Sequence, residues 1–153
     1  VFGLRPELYA AYERLCGLLW DQRLVDPVAL ELCRLHVAEI LGCDAERNLR
    51  SRAAVESGLD DGAVEELATW RTSARFTELE RACLAFCEGF VNDVHGLTDE
   101  DVAAVTRLLG EPGTVALAEA VGLFEGFCRF RIALGIEAAA HRTIGTPCGE
   151  EPS

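Results

Sequence analysis

The chain has 153 residues, half of them apolar, which suits one domain whose core needs no disulfide or metal staple. Its formal charge of −12 repels phosphate backbones and anionic lipid, which argues against nucleic acid as a partner. No stretch is long and apolar enough to span a bilayer, and Val1 to Pro6 lacks the basic-then-apolar order of a signal peptide.

Helical periodicity runs through the whole chain. Leu8, Tyr12, Leu15 and Leu19 share one face of a helix predicted from Pro6 to about Gln22. Asp26-Pro27 is a cap followed by proline at the first helical position, and that helix runs to about Leu41, where Gly42 breaks it. The next helix is expected from Cys43-Asp44 to Gly58, and Asp60 caps another that ends near Trp70. Thr77-Glu78-Leu79-Glu80 fits a capping box for a helix ending near His95-Gly96, with His95 as a C-terminal cap, and Thr98 to Asp101 opens another of the same kind. Pro112 starts a last helix to about Leu134, stopped by Gly135. It is apolar on more than one side (Val115, Leu117, Val121, Phe124, Phe127, Ile132), as in a core or a subunit interface, and Gly122 and Gly126 would admit a close helix crossing. No strand pattern of useful length is evident. The expectation is an all-α domain over residues 1–142, with a flexible tail over 143–153 that is rich in Gly, Pro and Glu.

Seven cysteines (Cys16, Cys33, Cys43, Cys83, Cys87, Cys128 and Cys148) form no CxxC pair and no regular framework, so most read as small buried residues and the cytoplasm is the expected compartment. Cys43 differs, because it follows a helix-breaking glycine and opens a helix. Backbone N–H groups there favour a thiolate, Arg47 lies one turn on, and Asp44 opposes the effect. The alternative is a small residue in a tight corner. Glu31 lies between Leu30 and Leu32. A carboxylate against an apolar wall can act as acid or base, whereas one on a solvated face, or ion-paired with Arg34, is structural. His36, between Leu35 and Val37, is either a proton shuttle or an ordinary helix residue. His141 precedes the tail. No cysteine and histidine spacing resembles a metal site, and no phosphate-binding glycine loop is present, so neither metal nor cofactor is expected.

The run from Glu31 to Arg50 resembles the carboxymuconolactone decarboxylase / alkylhydroperoxidase D-like family. Its pattern E-L-x-x-L-x-V-A-x-x-x-G-C matches Glu31 through Cys43, including the twelve-residue gap. Peroxidase-type members continue C-x-x-C-x-x-x-H, and here Glu46 and Arg50 occupy the second Cys and the His. Others carry Y-E-W-x-x-H, which Glu46 fits, but Ala45, Arg47 and Arg50 replace its aromatics and histidine. The likeness continues through Trp70, Arg75 to Ala82, Leu84 to Phe86, Leu97 to Val102 and Ala133 to Ile136.

That resemblance implies a compact bundle of about six or seven helices, a homo-oligomer (trimer or hexamer), and a pocket near Glu31 and Cys43. Loss of the second thiol and the histidine blocks the usual disulfide cycle. The leading expectation is therefore a cofactor-independent enzyme, a lyase or isomerase acting on a small organic acid, lactone or specialised metabolite. Glu31 would be its acid or base, Cys43 and His36 would assist, and Arg50 and Glu46 would hold substrate. The alternatives are a thiol peroxidase or redox sensor using Cys43, with Cys33 as a conceivable second thiol, and a non-catalytic binding or assembly relative.

Overall fold

A computed structural model describes residues 2–21, 24–136 and 142–145. After a 3-10 turn over Phe2–Leu4, α1 runs Pro6–Asp21 and α2 runs Pro27–Leu41. Asp26 caps α2 by accepting from the Val28 and Ala29 N–H groups at 2.9 and 3.2 Å, with Pro27 at the first position. Gly42 ends it in the left-handed region at φ 67°, and the Cys43 N–H reaches back to the Ala38 carbonyl at 2.8 Å. This six-to-one closure reverses the chain at once and aims Cys43 back towards the core.

The single helix expected from Cys43 to Gly58 is instead three pieces: α3 (Asp44–Arg47), β1 (Leu49–Ser51) and α4 (Arg52–Glu56). The cause is capture of its backbone by α2. A continuous helix would send the Arg50, Ser51 and Ala53 N–H groups to the carbonyls of Glu46, Arg47 and Leu49. Here Arg34 takes the Glu46 and Leu49 carbonyls at 3.0 and 2.8 Å, and Glu31 takes the Ser51 N–H at 2.8 Å. β1 then pairs in parallel with β2 (Arg142–Ile144), Ser51 opposite Ile144. The expected tail is thereby corrected at its start. Ile144 is buried, and Thr143 and Ile144 complete a ladder, because the extended β1 offers them a free edge. The remaining tail positions from 146, with Cys148 and His141, lie outside the described residues.

Asp60 caps α5 (Asp61–Glu65), which tightens into a 3-10 turn over Glu66–Thr69 before Trp70. α6 (Glu78–Asn92) and α7 (Asp99–Ala133) open on the two predicted capping boxes, both reciprocal, Thr77 with Glu80 and Thr98 with Asp101. α6 stops before His95, which sits in a 3-10 turn over Val94–Gly96. α7 is broken at Gly110 (φ 71°, ψ 170°), two residues before the predicted start at Pro112.

Helices α2, α6 and α7 pack on one another and enclose the core. α2 contributes Ala29, Leu30, Leu32, Cys33 and Val37, α6 contributes Cys83, Leu84 and Cys87, and α7 contributes Leu117, Val121, Phe124 and Cys128. The last limb of α7 is less enclosed than its composition suggests. Val115 and Ile132 are exposed, and Gly122 and Gly126 face open space rather than a crossing helix of this chain. Among the described residues no helix is long and apolar enough to cross a membrane.

Candidate functional site

Arg34 organises the region around the Glu31-to-Arg50 run. It is 1% exposed, and all five guanidinium N–H donors are used. Nε and Nη2 donate to the two Glu31 oxygens, both at 2.8 Å, Nη2 also to the Leu49 carbonyl, and Nη1 to the Glu46 carboxylate (2.7 Å) and carbonyl (3.0 Å). A fork of this kind matches a carboxylate in two places at once, which a lysine cannot do. Glu31 is fully buried. Its oxygens are engaged by Arg34 and the Ser51 N–H, so of the two sequence readings of Glu31 the ion pair with Arg34 is the one its contacts match.

Glu46 is likewise enclosed. Its second oxygen lies 2.5 Å from Arg131 Nε, a close charge contact whose N–H is not aligned on the oxygen. Arg131 comes from the end of α7 and was invisible to local reading. An arginine on an otherwise apolar helix face was the available signal, since such a residue needs a buried anion.

Cys43 sits beside Glu46. Its thiol is 2% exposed and lines a cleft of about 340 Å³ with Gly42, Ala45, Ile132 and Ile136. The Cys43 thiol is lowered from the ordinary 9.0 to about 7, first because the Cys128 thiol hydrogen-bonds it, against the cost of burial, with help from the Glu46 N–H and the Arg131 charge. The helix start adds little, because α3 is one turn long. The main cause is a thiol 85 positions away in the chain. Cys128 itself is pushed up by the same contact and by burial in apolar α7. Cys43 is the thiol that is lowered: the Glu46 N–H and the Arg131 guanidinium favour its thiolate, and the Glu46 carboxylate opposes it.

Cys33, the other thiol considered as a partner, belongs elsewhere. It packs with Cys87, whose Sγ donates to the Cys33 carbonyl at 3.6 Å, and the Cys87 thiol first, then burial, raises the Cys33 thiol well above its usual value. Cys83 is pushed up to about 12 by burial.

His36 and Arg50 are not brought to Cys43. His36 Nε2 meets the Glu88 carboxylate at 3.2 Å, which also accepts from Trp70 Nε1 (3.2 Å) and Arg71 (2.6 Å) beside a cleft of about 530 Å³. Arg71 first, then His36 and Trp70, hold Glu88 below the usual carboxylate range against partial burial. Glu88 was missed because its partners lie on α2 and the turn after Trp70. Arg50 donates to the carbonyls of Arg47 and Leu49 at 2.6 and 2.8 Å and lines a separate cleft of about 440 Å³ with Asp44, Arg47 and Glu65.

The sequence model of the carboxymuconolactone decarboxylase family matches residues 6–89, more than half of the chain. The chain belongs to that family. A similar solved structure is that of a protein from Agrobacterium tumefaciens, described as of unknown function and as a candidate antioxidant defence protein, AhpD. It shares 18% identity at a TM-score of 0.75, over 91% of this chain and 95% of the other. At that identity the match establishes the alkylhydroperoxidase D-like fold. No curated protein matches. The residues that carry the resemblance lie at the turn after α2, with Cys43 directly after Gly42 and Glu46 buried three residues on.

Proposed function

We propose that this protein is a thiol-dependent member of the carboxymuconolactone decarboxylase family that reduces small hydroperoxides at Cys43. The observation that carries this reading is the acidified Cys43 thiol at the wall of a cleft. Near neutral pH a large share of it is thiolate, the nucleophilic form. In the reaction the Cys43 sulfur attacks one peroxide oxygen. An S–O bond forms, the O–O bond breaks, and the leaving alkoxide takes a proton from solvent to become an alcohol, or water for hydrogen peroxide. Cys43 is left as a sulfenic acid, which a dithiol reductant returns to the thiol.

Acid–base chemistry of the lyase or isomerase type, the leading expectation from sequence, gains less support from the geometry. Its acid or base would be Glu31, whose oxygens are committed to Arg34 and Ser51 and which has no exposed surface. A site of this kind suits an anion that holds the α3–β1 connection in place.

Peroxide consumption with a dithiol reductant, measured for the wild-type protein and Cys43→Ser, tests the proposal. Turnover lost in the variant is the expected result. Equal rates in both proteins remove the assignment.

A further inference from the structure

We propose that Cys43 and Cys128 form a reversible disulfide, so that α7 supplies the resolving thiol that the local motif lacks. The inference rests on the thiol reading of Cys43 and adds to it a second reacting residue from a distant part of the chain.

The placement follows from the face that α7 turns to α3. Cys128, Arg131 and Ile132 are spaced by three and four residues and lie on one side of the helix. Arg131 meets Glu46 at 2.5 Å, and Ile132 lines the cleft that Cys43 lines. The third member of the face, Cys128, is buried on that same side of α7, and its thiol is the leading influence on Cys43. Both cysteines are nearly inaccessible, at 2% and 1% exposure, so a sulfenic acid formed at Cys43 meets the Cys128 thiol before any bulky external thiol. Of the other described cysteines, Cys33 and Cys87 pack together with Cys83 beside them, and Cys16 lies buried on α1.

The step balances without further groups. After a hydroperoxide has converted Cys43 to the sulfenic acid, the Cys128 sulfur attacks the Cys43 sulfur. An S–S bond forms and the S–O bond breaks, and the departing hydroxide leaves as water with the Cys128 proton. A dithiol reductant then reopens the bond by exchange and is itself oxidised to a disulfide. Elsewhere on the molecule, the Glu88 carboxylate already meets Arg71, His36 and Trp70, and Arg50 donates through Nη1 to two backbone carbonyls.

The chain is well suited to the test, because it has no lysine and trypsin cuts only at arginine. Cys43 is then the sole cysteine of peptide 35–47 and Cys128 the sole cysteine of peptide 108–129. The full-length protein is treated with one equivalent of hydrogen peroxide, alkylated, digested and mapped by mass spectrometry. The expected product is a cross-link between these two peptides that dithiothreitol reverses, with loss of two thiols. In Cys128→Ser, dimedone should trap a persistent sulfenic acid at Cys43, and steady-state peroxide turnover should fall by about tenfold or more, because an internal thiol exchanges faster than an external one. Should Cys43 oxidise in the wild type without linking to peptide 108–129, the disulfide is wrong while the thiol reading survives. Should Cys43 stay unoxidised, both fail. The wild-type map decides even if the serine variant does not fold.

Discussion

Replacing Arg34 by methionine keeps the apolar stem of the side chain and removes the guanidinium. The change strands the Glu31 carboxylate in the core, withdraws one of the two cations facing Glu46, and leaves the Glu46 and Leu49 carbonyls without their donor. Five hydrogen bonds at about 1 kcal/mol each and the measured cost of breaking a buried ion pair, about 3–5 kcal/mol, agree on a loss of about 4 kcal/mol. For a domain of this size that corresponds to a fall in Tm of roughly 8–16 °C. It is also a large part of a total stability of about 5–15 kcal/mol. Urea and thermal unfolding followed by far-ultraviolet circular dichroism measure it. Arg34→Lys keeps the charge but at most three donors, and its loss should fall between wild type and Arg34→Met. Glu31→Gln added to Arg34→Met removes the stranded charge and should recover about 1 kcal/mol or more. A loss below about 1 kcal/mol for Arg34→Met would refute the claim that this network holds α3 and β1 against α2.

Four further outcomes are expected. Alkylation of Cys43 by a small reagent, located by peptide mapping across pH, should have its midpoint near 7, whereas Cys83, pushed up to about 12, should not react in that range. A Cys43 midpoint at its ordinary 9.0 would contradict the role given to Cys128. The same shift has a sign for stability. The folded value is depressed, so the contribution of Cys43 is fully present above pH 9.0 and is lost as pH falls through about 7, and the stability gap to Cys43→Ser should close in that direction. Gly42→Ala meets no atom within 4 Å, so its cost is the left-handed backbone alone, about 1–2 kcal/mol in urea unfolding; no change would mean that the turn adopts another conformation. The chain should self-associate through the apolar groove between α1 and the end of α7, where Leu4, Leu8, Tyr12 and Leu134 are exposed beside Phe127 and Phe130. Light scattering should give a multiple of 16.6 kDa that increases with salt, because a charge of −12 per chain opposes assembly; a monomer at high salt, or no effect of Leu8→Glu, counts against that surface.

Local chemistry decided most of the fold. Asp26-Pro27, Thr77 with Glu80, Thr98 with Asp101, and Gly42 act within a turn or two of their own positions, so these starts and the stop at Gly42 were legible, whereas the break at Gly110 was expected at Pro112. The family likeness was legible too, because the spacing from Glu31 to Cys43 reflects one helix and the turn that ends it. The segment from Cys43 to Ser57 was not, since its helical propensity is overridden by Arg34 and Glu31, which take its backbone groups from outside. The candidate site divides in the same way. Glu31, Glu46 and Cys43 stand out along the chain, but their surroundings come from Arg34, Arg131 and Cys128, two of them on α7. Whether a carboxylate is a proton donor or a tied anion, and whether a thiol has a second thiol beside it, depends on groups brought together by packing. No spacing along one chain records that, because the distance between two sulfurs is set by how α7 lies across α3.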